Sequence, residues 1–425
     1  MKIKPINFSK NNLFIISIFL IVVILSIIIG CMFSSSKKKN IKFIKKLIES
    51  NTNIKVILPN QKNTKIQRGD IIVKNLDIFD KIITGGSLGL AESYMDQDWD
   101  STDLEETIKQ LLSKEKKLNN YLKKNSLKVF FLYIKSKLLT YLPNNTLNKT
   151  ENNIKFHYDI GNDLYQKMLG PSMAYTCAYF HNPNLTLDQA QYAKIDLVAK
   201  KLNLKPGMTV LDIGCGFGSI ADYISQKYKV YITGVTLSDN QVKYAITNYS
   251  DNKFLRIIKK DYRKVQNKFD RVYSIGMFEH VCRKNYQEYY DTCYKLLKKN
   301  GIMLIHTIMT SQFNSNQDLF IHKYIFPEGE LPHLNNMTQE YNDKWYLEDV
   351  QNIGHSYAKT LRNWHKNIGN WEGLENYSIK FRRMWEMYLL SCAAAFDIRN
   401  IYLFQFVYIK RDSDYKDNLH HIRKC

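Results

Sequence analysis

Val210-Leu211-Asp212-Ile213-Gly214-Cys215-Gly216-Phe217-Gly218 is an apolar stretch that runs directly into a turn with a glycine at every second position. A parallel strand covered on both faces reads as a nearly continuous apolar run, and Met208 to Ile213, entered through Pro206-Gly207, has that form. Glycines at the mouth of the following helix let the backbone approach a ligand closely, and the free amides of a helix start favour electron-rich groups. The stretch therefore predicts an α/β sheet holding a nucleotide-shaped cofactor at a strand end. Its spacing, G-x-G-x-G behind an acid, departs from the dinucleotide fingerprint G-x-G-x-x-G and weighs against a nicotinamide. Taken alone, the run also fits an ordinary strand-to-helix turn.

The surrounding pattern supports the sheet. From Thr186 to Leu202, the positions Leu187, Ala190, Ile195, Val198 and Leu202 share one helical face, and Thr186-x-x-Gln189 forms a capping box. Strands are expected at 208–213, 230–235, 254–258, 270–275, 301–307 and 402–409, with helices around 219–227, 239–248, 285–298 and 376–395. Such alternation predicts a parallel sheet with helices on both faces. Upstream, short strand-like stretches at 54–58 and 70–74 precede helical ones from Asp77 and Leu104, and the polar run 143–153 reads as a linker. The expected organisation is a membrane anchor over 1–36, a small α+β domain over 37–149 with lipid binding as one role, and a catalytic domain over 150–425.

The anchor is inferred from residues 13–33, 21 positions without a charge. A bilayer core of about 30 Å takes roughly 20 helical residues, so this segment is long enough to span. A cleaved signal peptide and a lipoprotein signal, the latter suggested by Ile28-Ile29-Gly30-Cys31, are the competing readings. Lys2, Lys4 and Lys10 precede the span, whereas Lys37, Lys38, Lys39, Lys42, Lys45 and Lys46 follow it, which places the C-terminal side in the cytosol.

Sixty-one Lys and Arg stand against 40 Asp and Glu, a formal charge of +21. The excess is spread along the chain, which fits an anionic membrane surface or compositional drift better than nucleic acid. Seven cysteines include no C-x-x-C pair and no Cys/His cluster, so neither a metal site nor a disulfide framework is expected.

Three further segments carry polar chemistry. His157-Tyr158-Asp159-Ile160-Gly161-Asn162-Asp163 is too polar for a core strand. Gly276-Met277-Phe278-Glu279-His280-Val281 sets an acid at the carboxyl end of a buried strand, and His306 ends the apolar run 302–305. The second strand leads not into the usual ribose-binding acid but into Thr236-Leu237-Ser238-Asp239-Asn240-Gln241, so hydroxyl and amide groups must replace it. Cys177 and His306 also read as ordinary core residues, as does Cys392.

Asp212-x-Gly214-x-Gly216-x-Gly218 resembles the S-adenosylmethionine loop of class I methyltransferases. From about Val73 to Val407 the chain is similar to the cyclopropane fatty acid synthase family, which includes the mycolic acid methyltransferases. The likeness rests on Gly85 to Asp96, His157 to Asp163, Tyr175-Thr176-Cys177-Ala178-Tyr179, residues 210–218, Val235-Thr236-Leu237-Ser238, Gly276 to Val281 and Lys323-Tyr324-Ile325-Phe326-Pro327. Phe217 departs from the usual Trp, Thr176 from the common Ser, and the N-terminal span is an addition. The resemblance implies transfer of a methylene group from S-adenosylmethionine to a cis double bond of a phospholipid acyl chain, giving a cyclopropane. It implies a bound bicarbonate as the base, held by Cys177, Glu279, His306, Ile308 and Tyr357. For the cofactor it implicates Tyr175, Thr176, Asp212, Gly214, Gly216, Gly218, Thr236, Leu237, Gln241, Tyr262 and Arg263. Tyr175, Tyr179, Phe278 and Tyr357 are expected to face a carbocation. The expected partners are membrane phospholipid with unsaturated acyl chains and an anionic membrane surface, with a homodimer as a further expectation and no nucleic acid. The rival readings are a related lipid or small-molecule methyltransferase that does not close a ring, and a non-catalytic lipid-binding membrane tether.

Overall fold

The computed structural model describes residues 36–61, 65–127, 129–130, 160–311, 318–327, 329–338 and 343–414. The expected span at 13–33, the linker at 143–153 and His157-Tyr158-Asp159 lie outside them. Among the described residues no helix is long and apolar enough to cross a membrane. The chain divides into two compact units, one taking residues up to Thr102 together with 114–147, the other 103–113 and 148 onward.

In the first unit, α1 (Ser36–Glu49) buries Phe43, Ile44, Leu47 and Ile48 and leaves Lys37, Lys38 and Lys39 exposed. β1 (Val56–Ile57) pairs parallel with β2 (Ile71–Val73), followed by α2 (Ile78–Met95) and β3 (Trp99–Ser101), which pairs antiparallel with β2. The glycines of α2 have separate causes. Gly86 takes φ 57° and kinks the helix, whereas a Cβ on Gly89 would lie 1.8 Å from the Lys81 carbonyl oxygen. Trp99 is fully buried, and its indole N–H donates to Ser93 Oγ at 3.0 Å. Helix α3 (Leu104–Ser113), expected within the small domain, groups instead with the second unit, and α4 (Glu115–Lys124) with the first. The cause is tertiary: α3 packs on the helix at 379–397, and its Glu105 forms an ion pair with Arg362 of the helix at 355–368.

The second unit contains α5 (Asn162–Leu169), α6 (Leu187–Lys201), β4 (Thr209–Ile213), α7 (Ser219–Tyr228), β5 (Tyr231–Thr236), α8 (Asp239–Tyr249), β6 (Leu255–Lys259), β7 (Phe269–Ile275), α9 (Tyr286–Leu296) and β8 (Leu297–Thr310). It continues with α10 (Leu319–Tyr324), α11 (Leu334–Thr338), β9 (Trp345–Asn352), α12 (His355–Ile368), α13 (Ile379–Asp397) and β10 (Ile401–Lys410). The sheet order is β6-β5-β4-β7-β8-β10-β9. β4 to β8 run parallel, but β10 is antiparallel to both its neighbours, so the expected all-parallel sheet is corrected at this strand. Apolar content alone carries no strand direction. The capping box of α6 forms as expected.

Strand alternation divides the core between two faces. Leu211, Ile213, Val272, Met303, Ile305 and Phe406 point to one, and Val210, Tyr273, Ile275, Ile302, Leu304 and Val407 to the other. Each such side chain contributes about 1.5–3 kcal/mol on burial, which fixes the register that the site depends on. β5 and β7 flank β4 on opposite sides, creating a switch point where the carboxyl ends of β4 and β7 open to a ligand.

Candidate active site

The glycine turn hangs from the end of β5. Gly214 and Cys215 both donate their amides to the Val235 carbonyl, at 2.9 and 3.1 Å, and Gly218 donates to Cys215 at 3.0 Å before opening α7. Gly214, Gly216 and Gly218 have φ of 79°, 55° and 85°, a region unfavourable to other residues. A Cβ on Gly214 would strike Met277, whereas one on Gly216 would meet nothing within 4 Å. Packing and conformation together thus require glycine at 214, whereas at 216 the left-handed backbone alone does, with open space in front of it.

Beside the turn, Thr236 closes β5 and donates its hydroxyl to Gln241 Oε1 at 2.6 Å, while Ser238 caps α8. The structure therefore brings Thr236 and Gln241 together, with Leu237 exposed between them. Tyr262 and Arg263 follow β6 in a short 3-10 turn. Tyr262 packs on Tyr289 at 5.5 Å, and Arg263 is held by Asp261 at 2.6 Å. Asp212 is buried within β4, where desolvation raises its carboxyl to about 7 against the pull of Lys194.

The segment 174–180 has no regular structure of its own and is held by hydrogen bonds from both sides. Gln191 on α6 donates its amide to the carbonyls of Ala174 and Thr176, at 3.2 and 2.8 Å. On α12, Thr360 accepts from the Ala178 amide and Ser356 from the Phe180 amide, both at 3.1 Å. This pinning presents Tyr175, whose hydroxyl lies 2.7 Å from that of Tyr388 and whose ring neighbours Trp364 and Tyr165. It also buries Cys177 completely. Burial pushes the Cys177 thiol far above its usual range, so this sulfur is not a thiolate.

Glu279 lies in the 3-10 turn Phe278–His280 beyond β7, 8 % exposed. Its Oε1 accepts the Ile308 amide at 2.7 Å, while Oε2 is buried without a partner. Desolvation raises this carboxyl to about 7, with the Ile308 amide opposing the rise. His306, two residues before Ile308 on β8, is fully buried; its Nδ1 lies 3.2 Å from the Gln405 amide nitrogen and its Nε2 has no partner. Burial, then the charges of Lys194 and Lys201, hold its pKa well below the usual value. The imidazole is therefore neutral, and with Gln405 donating to Nδ1 the ring proton sits on Nε2. Tyr357 is pushed far above the phenol range by burial, and Cys177, Tyr175, Glu279 and Cys392 act on it. Glu279 and Ile308 are thus joined by a hydrogen bond, Tyr357 lies within electrostatic reach of Cys177 and Glu279, and Lys194 within reach of both Cys177 and His306. Glu279, His306 and Tyr357 are each buried, and the His306 N–H and the Tyr357 hydroxyl are neutral donors.

One of the expected aromatic faces, Phe278, belongs to the core. Phe278 is fully buried against Tyr286 at 4.6 Å in the core, and Tyr179 packs beside His181 at 5.5 Å. Tyr357 instead packs on Phe396 at 4.5 Å. Sequence reading missed Gln191, Lys194, Ser356 and Thr360; among these, the i, i+3 spacing of Gln191 and Lys194 on a capped helix was the available signal. A surface depression of about 460 Å³ beside Tyr192, Tyr223 and Tyr249 holds none of the expected site residues. Among the described residues no cluster of His, Cys, Asp or Glu is arranged to hold a metal.

Comparison with known proteins identifies the family. The family model for mycolic acid cyclopropane synthetase matches residues 145–406. A cyclopropane-fatty-acyl-phospholipid synthase of Escherichia coli (strain K12) is 40 % identical over 346 residues, covering 80 % of this chain and 87 % of that protein. Cyclopropane mycolic acid synthase 1 of Mycobacterium tuberculosis is 36 % identical over 276 residues, 60 % of this chain and 95 % of that one. A solved cyclopropane synthase from Mycobacterium tuberculosis superimposes with a TM-score of 0.55 at 30 % identity, covering 63 % of this chain and all of its own. A mycolic acid cyclopropane synthase crystallised with SAH and CTAB gives 0.55 at 32 % identity, covering 61 % and 98 %. The sheet is that of a class I S-adenosylmethionine-dependent methyltransferase, and the chain belongs to the mycolic acid cyclopropane synthetase family.

Proposed function

We propose that the protein is an S-adenosylmethionine-dependent cyclopropane synthase that adds a methylene group across the cis double bond of an unsaturated phospholipid acyl chain. The observation that carries this reading is the 40 % identity with the Escherichia coli synthase across 80 % of the chain. Bound S-adenosylmethionine supplies an electrophilic methyl group on sulfur. The chain's part is to hold that group at the glycine turn, with Tyr175, Thr176, Thr236, Leu237, Gln241, Tyr262 and Arg263 around it. The open space at Gly216 fits such a ligand.

An alkene is a weak nucleophile and must be aligned in a site without competing water. Tyr175 beside Trp364 and Tyr357 beside Phe396 offer aromatic faces for the positive charge that develops on the acyl chain. Ring closure then needs a base. Burial sets Glu279 at about 7, divided between its two forms at neutral pH and able to pass a proton on, while the neutral imidazole of His306 has a strongly lowered basicity and Cys177 is a thiol, so this reading places the base on an anion held beside Glu279. The unpartnered Glu279 Oε2 and His306 Nε2, with the Tyr357 hydroxyl, fit a bound bicarbonate, which supplies the base when present. In this reading Cys177 contributes its backbone, and Ile308, whose amide is held by Glu279 Oε1, acts through that carboxyl.

Substrate in a bilayer favours a membrane-held enzyme, with residues 13–33 as anchor and the exposed Lys37, Lys38 and Lys39 at about 1 kcal/mol each toward an anionic leaflet. Lipid mass spectrometry after expression in a host that lacks the modification tests the activity: cyclopropane chains are expected, and methylated or methylene-bearing chains without a ring would favour the nearest rival reaction. Protease accessibility in sealed vesicles, with residues 150–425 expected on the cytosolic side, tests the topology.

A further inference from the structure

Lys194 is a fully buried lysine that the reaction described above does not use. Lysines are almost never buried to this degree without a charged partner. Here the only hydrogen bond among the described residues is from Nζ to Thr176 Oγ1, at 2.8 Å. Burial lowers the ammonium to about 7, and Cys177 and Asp212 oppose that fall. Such a charge is a cost to the empty protein, and an anion arriving nearby would offset it.

Thr176 is fixed on three sides. Its methyl group lies against Gly276, where a Cβ would come within 3.0 Å of Cγ2, and its carbonyl takes the Gln191 amide at 2.8 Å. Its hydroxyl oxygen receives the Lys194 proton. An ammonium has only donors, so Thr176 must accept from it and turn its own proton elsewhere. Among the described residues none accepts that proton. Gly276 is followed by Met277, which is also the side chain packed against Gly214 of the glycine turn, so two successive residues join Thr176 to that turn.

We infer that Lys194 is a positioning residue that makes Thr176 a fixed, charge-backed donor to a carboxylate-like oxyanion, and that this oxyanion is the amino-acid carboxylate of S-adenosylmethionine. The inference rests on the reading that the cofactor occupies the glycine turn. Bicarbonate shares the same chemistry, but the proposed function assigns it to Glu279, His306 and Tyr357.

Calorimetry on the full chain in detergent separates these cases, using S-adenosylhomocysteine and 5′-methylthioadenosine, which keeps the adenosine and the thioether but lacks the carboxylate. Lys194→Met and Thr176→Val are each expected to weaken S-adenosylhomocysteine roughly 10- to 100-fold, as for a lost charge-assisted hydrogen bond, and to leave methylthioadenosine within about 2-fold. Thr176→Ser should bind both as the parent does. The double variant should be no weaker than Lys194→Met alone, because both changes remove one interaction. Thermal unfolding of Lys194→Met should occur no lower than in the parent, since an apolar side chain of similar volume replaces a buried charge. Equal weakening of both ligands would reduce Lys194 to a structural role and overturn the inference. So would unchanged S-adenosylhomocysteine affinity with a raised bicarbonate requirement for turnover, which would move the interaction to the other anion. If Lys194→Met does not fold, the Thr176→Val and Thr176→Ser pair decides on the same ligand contrast. Gly216→Val serves as the reference: should it bind both ligands like the parent, the cofactor reading itself has failed, whatever Lys194 does.

Discussion

The glycine turn and the buried acid pocket stand at the ends of paired strands, β4 and β7, yet they are made of different material. The turn is backbone: three positive-φ glycines and amides fastened to Val235 within a few residues of one another. The pocket is side chain, with Glu279 from the turn after β7, His306 from β8, Tyr357 from α12 and Cys177 from a segment pinned by α6 and α12. A backbone cradle binds, because its groups are in place before the ligand arrives. A pocket of buried titratable groups shifts protonation states, because desolvation acts on each of them. Binding and turnover should therefore separate on mutation.

The largest expected effect tests the pocket half. Glu279→Gln keeps the shape and removes the ionisable group, so turnover should fall roughly 10²- to 10⁴-fold while S-adenosylhomocysteine affinity stays within about 2-fold. Steady-state kinetics and calorimetry on the same preparation check this. Comparable losses in both would mean that the two halves are one site.

The same carboxyl also gives a pH test of stability. Its value is raised from 4.5 to about 7 by burial. Below about 4.5 it is neutral in both states and carries no penalty; between there and about 7 the unfolded chain ionises while the native one keeps its proton, so stability falls as pH rises. At 1.36 kcal/mol per unit this amounts to at most about 3 kcal/mol. Glu279→Gln should therefore gain about that much on the parent between pH about 4 and about 8 in denaturant titrations, and a constant difference would show that the carboxyl is solvated. Asp212, also raised to about 7, is common to both proteins and cancels.

On the binding half, Gly216→Val places a branched side chain in open space at φ 55°. The loss should be of affinity, more than about 100-fold for S-adenosylhomocysteine by calorimetry, from steric exclusion combined with backbone strain of order 1–3 kcal/mol. An unchanged affinity would remove the cofactor from this turn.

The same contrast explains what was legible in the sequence. Strands β4 to β8 and their helices could be read because buried parallel strands are apolar throughout, and the glycine turn because a backbone site leaves its mark in adjacent residues. β9 escaped notice since Trp345-Tyr346-Leu347-Glu348-Asp349-Val350-Gln351-Asn352 is a sheet edge with little apolar alternation. The grouping of α3 with the second unit escaped because Glu105 and Arg362 are distant in sequence. In the pocket, Glu279 stood out at a strand end, but His306 looked like a core histidine and Tyr357 had no local signature, so only resemblance to the family joined them. Lys194 was hidden by its type: on a capped helix a lysine reads as solvent-facing, and nothing nearby says that Thr176 folds over it.

The smallest expected effect sharpens the claim that the cradle is backbone. Phe217 lies inside the glycine turn, where the family usually carries Trp, and it is buried between Tyr165 at 5.4 Å and Tyr244 at 5.1 Å. Because the turn's hold on a ligand comes from the amides and glycine conformations on either side of Phe217, enlarging this ring should leave those groups where they are. Phe217→Trp should shift S-adenosylhomocysteine affinity by no more than about 3-fold, and any cost should fall on stability, about 1–3 kcal/mol if the two tyrosines cannot open to admit the indole. Calorimetry and denaturant titration of the variant read the two quantities separately. A loss of affinity approaching that of Gly216→Val, at unchanged stability, would show that the aromatic ring itself contacts the ligand and that the cradle is not built of backbone alone.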